Sequence, residues 1–282
     1  MWKPGGPNAP RVADTLAGAV ANLADPRPPM RVGALRTLEA LGQEDPLQRQ
    51  AIVDILCAYL RMPIGEEGPA RATAQRILTA HLRPRGGAFW TQTSLDLTGA
   101  TLLDLDLSGC HVDGGLRLEH ATLLGQTKAR GLVVRGPASL YGASFADQAW
   151  FERSAFHGPV RFDVTDFHGD AWFGGATFGG RTTFAGSTFG GHAWFSACTF
   201  LGPVQFDEAV FRRSAGFRGA EARGGVGLSG TTFLGPARVS LRGEDWNICA
   251  SGWRVVVDSD NEAVGQLLWV GHPELVSGQT PP

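Results

Sequence analysis

Lysine is nearly missing from this chain of 282 residues: Lys3 and Lys128 are the only two, and neither follows a glycine. A phosphate-binding loop needs Gly-Lys-Ser/Thr, so nucleotide hydrolysis by that route is excluded. The 4 cysteines, Cys57, Cys110, Cys198 and Cys249, lie far apart with no C-x-x-C. Neither a zinc framework nor a disulfide framework is indicated, and a reducing cytoplasm fits best. No apolar stretch reaches the ~18 residues of a membrane span, and the first ten residues carry proline and glycine where a secretory signal needs an apolar core. The expectation is a protein that neither spans a membrane nor is exported. Excess charge is also lacking, with 25 basic and 27 acidic residues and a net charge of −2. That balance gives no basic footprint, so direct nucleic-acid binding is not expected. H-E-x-x-H, G-x-S-x-G and H-x-E with P-C-x-x-C are missing too, which removes the commonest metalloprotease, hydrolase and deaminase signatures.

What is abundant is glycine, 39 residues against a usual share of about 7%, together with 16 Phe beside only 2 Tyr. Such a bias points to a repeating backbone solution. The bias does not extend to the N-terminal part, where apolar residues recur at helical spacing, as in Val32, Leu35, Leu38 and Leu41. Prolines at Asp25-Pro26, Pro28-Pro29, Asp45-Pro46 and Gly68-Pro69 divide this part into four helices, near 10–24, 28–42, 46–61 and 68–82, because proline starts a helix well and continues one badly. The second and third resemble one HEAT- or armadillo-type hairpin. A helical cap covering the first coil of a solenoid is the main reading, and a separate peptide-binding groove is the alternative.

From Ser94 the period changes. Leu97, Leu102, Leu107 and Val112 stand five apart, and beyond them the step alternates between six and five through Leu118, Leu123, Ala129, Val134, Leu140 and then an unbroken phenylalanine series from Phe145 to Phe217. Two positions before each phenylalanine lies a small or β-branched residue, as at Ala143, Ala149, Ser154 and Val160. A helix is excluded by the Gly-Gly and Gly-Pro steps at 158–159, 174–175, 179–180, 190–191 and 202–203, whereas short extended faces with tight corners accommodate them. Trp150, Trp172 and Trp194 recur every 22 residues, which implies four faces per coil. About seven coils then fit between 91 and 240, a rod about 33 Å long at roughly 4.8 Å per coil.

This pattern, as in Ala100-Thr-Leu102 and Ala176-Thr-Phe178, is similar to the pentapeptide-repeat family. The resemblance covers about 150 residues and implies a mainly β fold, a right-handed quadrilateral β-helix, with an N-terminal α-helical cap domain of HEAT/armadillo-like hairpins. The sixth residue in alternate repeats departs from the strict five and leaves the corner geometry open. The head and its junction, with 54–61, 73–78 and 96–102, also resemble actinobacterial members of the family. The expected division is a disordered 1–9, a helical domain 10–85, the β-helix 91–240, a C-terminal cap 241–270 and a loose tail 271–282.

Little chemistry emerges. Gly225-Val-Gly-Leu-Ser-Gly230 spells a dinucleotide fingerprint, but Leu228 lies on the solenoid period and no helix pattern follows. His157 and His168 are half a coil apart and should lie on opposite faces, so no shared metal is expected. Cys110 and Cys198 occupy inward positions, where a thiol is a compact hydrophobe. Asp104 and Asp106 flank inward Leu105 with no second carboxylate to pair them. The expectation is no catalytic residue, no cofactor and no metal. Trp150, Trp172 and Trp194 point outward and form the candidate partner surface, with a purely stabilising aromatic ladder as the alternative. The function expected is a non-enzymatic protein-interaction scaffold for an unidentified protein partner, with homodimer formation left open. Some family members imitate DNA with an acidic rod and bind DNA gyrase, a type II topoisomerase, which supplies the alternative. The 13 acidic against 12 basic residues between 91 and 240 weigh against it unless the charges segregate by face.

Overall fold

The computed structural model describes residues 9–63, 68–84, 88–234, 237–239, 253–257 and 265–269. Four helices come first: α1 (Ala9–Leu23), α2 (Pro28–Glu44), α3 (Arg49–Arg61) and α4 (Gly68–His81), with a 3-10 turn at Pro46–Gln48 before α3. Proline stands at the start of α2 and of the 3-10 turn, where its missing N–H costs nothing, and the Asp45 carboxylate caps the turn by accepting from Leu47 N. Leu35, Leu38, Ile52, Leu56, Leu60 and Ile77 are fully buried and form the core of this head.

The chain then winds into stacked coils of parallel strands only two or three residues long. Four sheets run along the rod. The first face is built on Leu95, Leu116, Ala138, Val160, Thr182, Val204 and Val226, and the second on Thr101, Thr122, Ser144, Asp166, Thr188, Val210 and Thr232. The third carries Thr127, Ala149, Ala171, Ala193, Ala215 and Ala237, and the fourth His111, Val133, Ala155, Thr177, Thr199 and Glu221. The described strands complete about six turns and begin another, one fewer than the seven expected from length, because the fourth face has no strand beyond 221–222 among the described residues. Six rises of about 4.8 Å make the rod about 29 Å long.

Both inward series behave as their spacing predicts. Every residue from Leu97 to Phe217 on the central series is at most 4% exposed, and the small residues two positions earlier are at most 3% exposed from Leu95 to Ala215. The phenylalanines stack in columns, one per face: Phe145, Phe167, Phe189, Phe211 and Phe233 lie with ring centroids 4.8, 5.0, 4.6 and 4.8 Å apart. Neighbouring columns meet edge to face, as Phe173 and Phe184 do at 5.5 Å, so the offset and T-shaped geometries that aromatic quadrupoles prefer are both satisfied.

Five- and six-residue steps make different corners. Between Leu140 and Gly219 every residue of positive φ falls two places after a central residue in a five-residue step, and Arg153, Val164, Ala197 and Glu208 share that conformation with four glycines. At the six-residue corner from fourth to first face, Gly136, Gly158, Gly180, Gly202 and Gly224 stack 22 residues apart. Here glycine is required by close approach: a Cβ on Gly180 would lie 2.7 Å from Pro159 N and 2.8 Å from Gly158 C.

The head closes the open edge of the first coil. Gln50 bonds both Ser94 N (2.8 Å) and Ser94 O (3.1 Å), Arg71 donates to Thr101 O (2.8 Å), Gln75 to Leu103 O (3.2 Å) and Arg83 to Ser108 O (3.0 Å). Unpaired strand carbonyls that would template another chain are thereby consumed. Trp90, only 1% exposed, is the wedge between the two parts: its backbone N–H donates to His81 O at 2.8 Å, its ring stacks on His81 at 4.3 Å, and its edge occupies the space a side chain at position 42 would need. At the far end, strands at 253–257 and 265–269 form an antiparallel hairpin whose second strand pairs with 237–239, extending the third face. The remainder of the expected cap and the whole expected tail 271–282 lie outside the described residues.

Candidate functional site

The third face holds Trp150, Trp172 and Trp194 in register, each preceded by an inward alanine and followed by an inward phenylalanine. Strand alternation therefore turns the indoles outward, and all three are half-buried. The ladder has a defined bottom and top. Arg130 lies over Trp150 at 5.3 Å while closely paired with Glu152, and Trp194 leans over Gly216, where a Cβ would meet its Cε3 at 2.5 Å. Trp172 and Trp194 stack at 5.8 Å and His192 flanks Trp194 at 5.9 Å. Trp172 and Trp194 thus form a stacked ridge along the face, with Arg130 over the ring of Trp150. Trp172 Nε1 is buried without a hydrogen-bond partner.

The remaining polar residues singled out above are dispersed. Asp106 pairs with Arg83 at 2.9 Å, and Asp104 accepts from Gln126 N at 3.0 Å. His157 follows the fourth-face strand 155–156 and His168 the second-face strand 166–167, on opposite sides of the rod. Burial pushes the thiols up, Cys57 and Cys198 to about 12 and Cys110 to about 11. Cys198 donates to Phe173 O at 2.9 Å and Cys110 to Thr79 O at 3.6 Å, so both are core groups. No cluster of metal-ligating side chains occurs among the described residues, and no described helix is long and apolar enough to cross a membrane.

Assigning charges to faces reveals what whole-rod counting hides. On the second face and its two corners stand eight acidic residues: Glu119, Asp163, Asp207 and Glu208 at the corner from the first face, Asp166 on the strand, and Asp104, Asp147 and Asp170 at the corner to the third. Arg212 and Arg213 are the basic residues of that face and its corners, and Arg117 and Arg161 at the adjoining edge of the first face pair with Glu119 at 3.3 Å and Asp163 at 2.7 Å. The fourth face has the reverse bias, with Arg130, Arg153, Arg218, Arg135, Arg181 and Arg223 at its corners against Asp113, Glu152 and Glu221. Several of the aspartates also staple successive coils, each accepting the N–H 22 residues on: Asp163 from Ala185, Asp170 from His192 and Asp207 from Ser229, at 3.0, 2.7 and 2.8 Å. Regular one-dimensional spacing thus serves both packing and surface charge.

Stacked short parallel strands on four faces, wound around two inward residues per step, define a parallel β-solenoid repeat protein. A family model described as pentapeptide repeats (9 copies) matches residues 158–199 and again 195–240, which supports a pentapeptide-repeat protein. No curated protein and no solved structure matches the chain.

Proposed function

We propose that this chain is a non-enzymatic interaction scaffold acting in the cytoplasm, with the tryptophan ridge of the third face as its contact surface. The observation that carries the reading is the ridge itself: three indoles in register, half-buried and packed between Arg130 and Gly216. Pre-ordered aromatic edges bind at little conformational cost, and tryptophan is enriched among residues that dominate binding energy. The free thiols of Cys57, Cys110 and Cys198 support a reducing compartment.

The test compares proteins retained from lysate by the wild type and by a Trp150→Ala, Trp172→Ala, Trp194→Ala variant whose circular dichroism shows the solenoid intact. A partner held only by the wild type, and competed by soluble wild-type chain, supports the ridge as an interface. Equal retention by both overturns it.

The second reading, a DNA-mimicking binder of DNA gyrase, is favoured by one observation, the excess of eight acidic over two basic residues along the second face. Inhibition of gyrase supercoiling that vanishes with Asp147→Arg and Glu208→Arg supports it; no inhibition by the wild type overturns it.

A further inference from the structure

The two charged faces lie on opposite sides of one rod, and their charges match in position as well as in sign. At the corner between first and second faces, Glu119, Asp163 and Asp207 stand 44 residues apart, on alternate coils, and Glu208 adjoins the last. At the corner between fourth and first faces, Arg135, Arg181 and Arg223 end those same alternate coils. Both rows therefore repeat about every 9.6 Å, two coil rises. Between the corners most outward strand residues are small, Thr122, Ser144 and Thr188 on the second face and Val133, Ala155 and Thr177 on the fourth, with Asp166 on the second and His111 and Glu221 on the fourth as larger members.

We propose that copies of this chain associate side by side in the same direction, the second face of one against the fourth face of the next. Translation of the rod brings the Glu119–Asp163–Asp207 row of one copy against the Arg135–Arg181–Arg223 row of its neighbour, with an axial shift of less than one coil rise. Several of these groups already hold partners within the chain, Glu119 with Arg117 at 3.3 Å, Asp163 with Arg161 at 2.7 Å, Arg135 with Asp113 at 3.3 Å and Arg223 with Glu221 at 3.8 Å. In each pair the arginine is exposed, and surface pairs of this kind are worth about 0–1 kcal/mol. The contact is heterologous, because different patches meet, so each copy still offers both faces at its ends and the association continues as an open row. A face about 10 Å wide and about 29 Å long buries roughly 300 Å² per copy before the corner side chains are added, well under the ~800 Å² of a standard partner surface. Association is therefore weak, dynamic and set by ionic strength.

Sedimentation equilibrium tests this at about 0.02 M and about 1 M salt, where the screening length falls to about 3 Å. The wild type is expected to exceed its 30.0 kDa mass increasingly with concentration at low salt and to return to it at high salt. Two variants, Asp147→Arg with Glu208→Arg and Arg153→Glu with Arg181→Glu, each leave one charged face intact. Alone, each should lose association at least tenfold; mixed, they should recover it, since the intact acidic face of one still meets the intact basic face of the other and the two reversed faces complement each other. Recovery on mixing also shows that both variants are folded. Wild type that stays at monomer mass at low salt, association unmoved by salt, or no gain on mixing overturns the proposal. Monomeric wild type that nevertheless binds a polyarginine peptide overturns it in favour of a different, cationic partner for the second face. None of these outcomes depends on the tryptophan ridge.

Discussion

Substituting alanine for Gly180 and for Gly186 separates the two reasons this chain uses glycine. Gly180 belongs to the stacked corner ladder, and an added Cβ would meet only backbone: Pro159 N at 2.7 Å, Gly158 C at 2.8 Å and Gly158 O at 2.9 Å. No side chain can swing away, so the coils must part by several tenths of an ångström. That stretches the hydrogen bonds flanking the corner, from Gly179 N to Phe156 O (2.7 Å) and from Val160 N to Arg181 O (2.9 Å). Overpacking of this kind costs about 1–3 kcal/mol, each impaired hydrogen bond adds about 1, and restricting the unfolded chain returns about 0.4–1. The expected loss is about 2–4 kcal/mol. Gly186 has φ of +63° but only Val164 Cγ2, at 3.8 Å, near its missing side chain. Left-handed strain of about 1–2 kcal/mol is partly offset by the same unfolded-state gain, so about 1 kcal/mol is expected. Urea denaturation followed by circular dichroism measures both. Equal losses, or the larger loss at Gly186, would refute the claim that coil spacing is what demands glycine.

Three further outcomes follow from the core and the head. Phe184→Ala, which removes a ring stacked on Phe162 at 4.7 Å and Phe206 at 5.0 Å, should cost about 3–5 kcal/mol in urea titration, and Phe184→Leu clearly less. Cys57, Cys110 and Cys198, with thiols pushed up by burial to about 12, 11 and 12, should resist alkylation at neutral pH until the chain is unfolded, as mass spectrometry would read. Burial raises the Glu39 carboxyl, but hydrogen bonds from Arg36 and His81 outweigh it and hold the pKa below its usual 4.5. A depressed carboxylate stabilises above its unfolded pKa and loses that contribution as pH falls. Between about pH 5 and pH 3 thermal stability should fall more steeply for wild type than for Glu39→Gln.

Most of the rod was legible because its code is local and repeats. Inward Phe and the small residue before it needed only spacing, and the prolines marked the helices of the head to within a few residues at each boundary. The alternating corners were visible as a five-six rhythm, although which corner takes a positive φ depends on backbone geometry that side chains such as Val164 and Arg153 do not announce. Long-range contacts left no comparable trace: nothing in the sequence pairs Arg71 with Thr101 or sets Trp90 against Gly42. The tryptophans were placed outward correctly by alternation, yet their cover came from Gly216, whose significance emerges only when Trp194 is seen to lie over it. Charge was the least legible, because 13 acidic and 12 basic residues balance along the rod while dividing between opposite sides around it.

The four-sided period makes surface and core respond differently to duplication of the chain. An insertion of 22 residues adds one coil and leaves every later residue on its own side. An insertion of 11 preserves the five-six rhythm, and hence the buried columns, but carries everything beyond it half a turn around the rod. Acidic and basic strips would then change sides at the insertion point with the fold intact. Arrangement around the rod is therefore a phase, heritable independently of stability, and selection on binding can adjust it without touching a single buried phenylalanine.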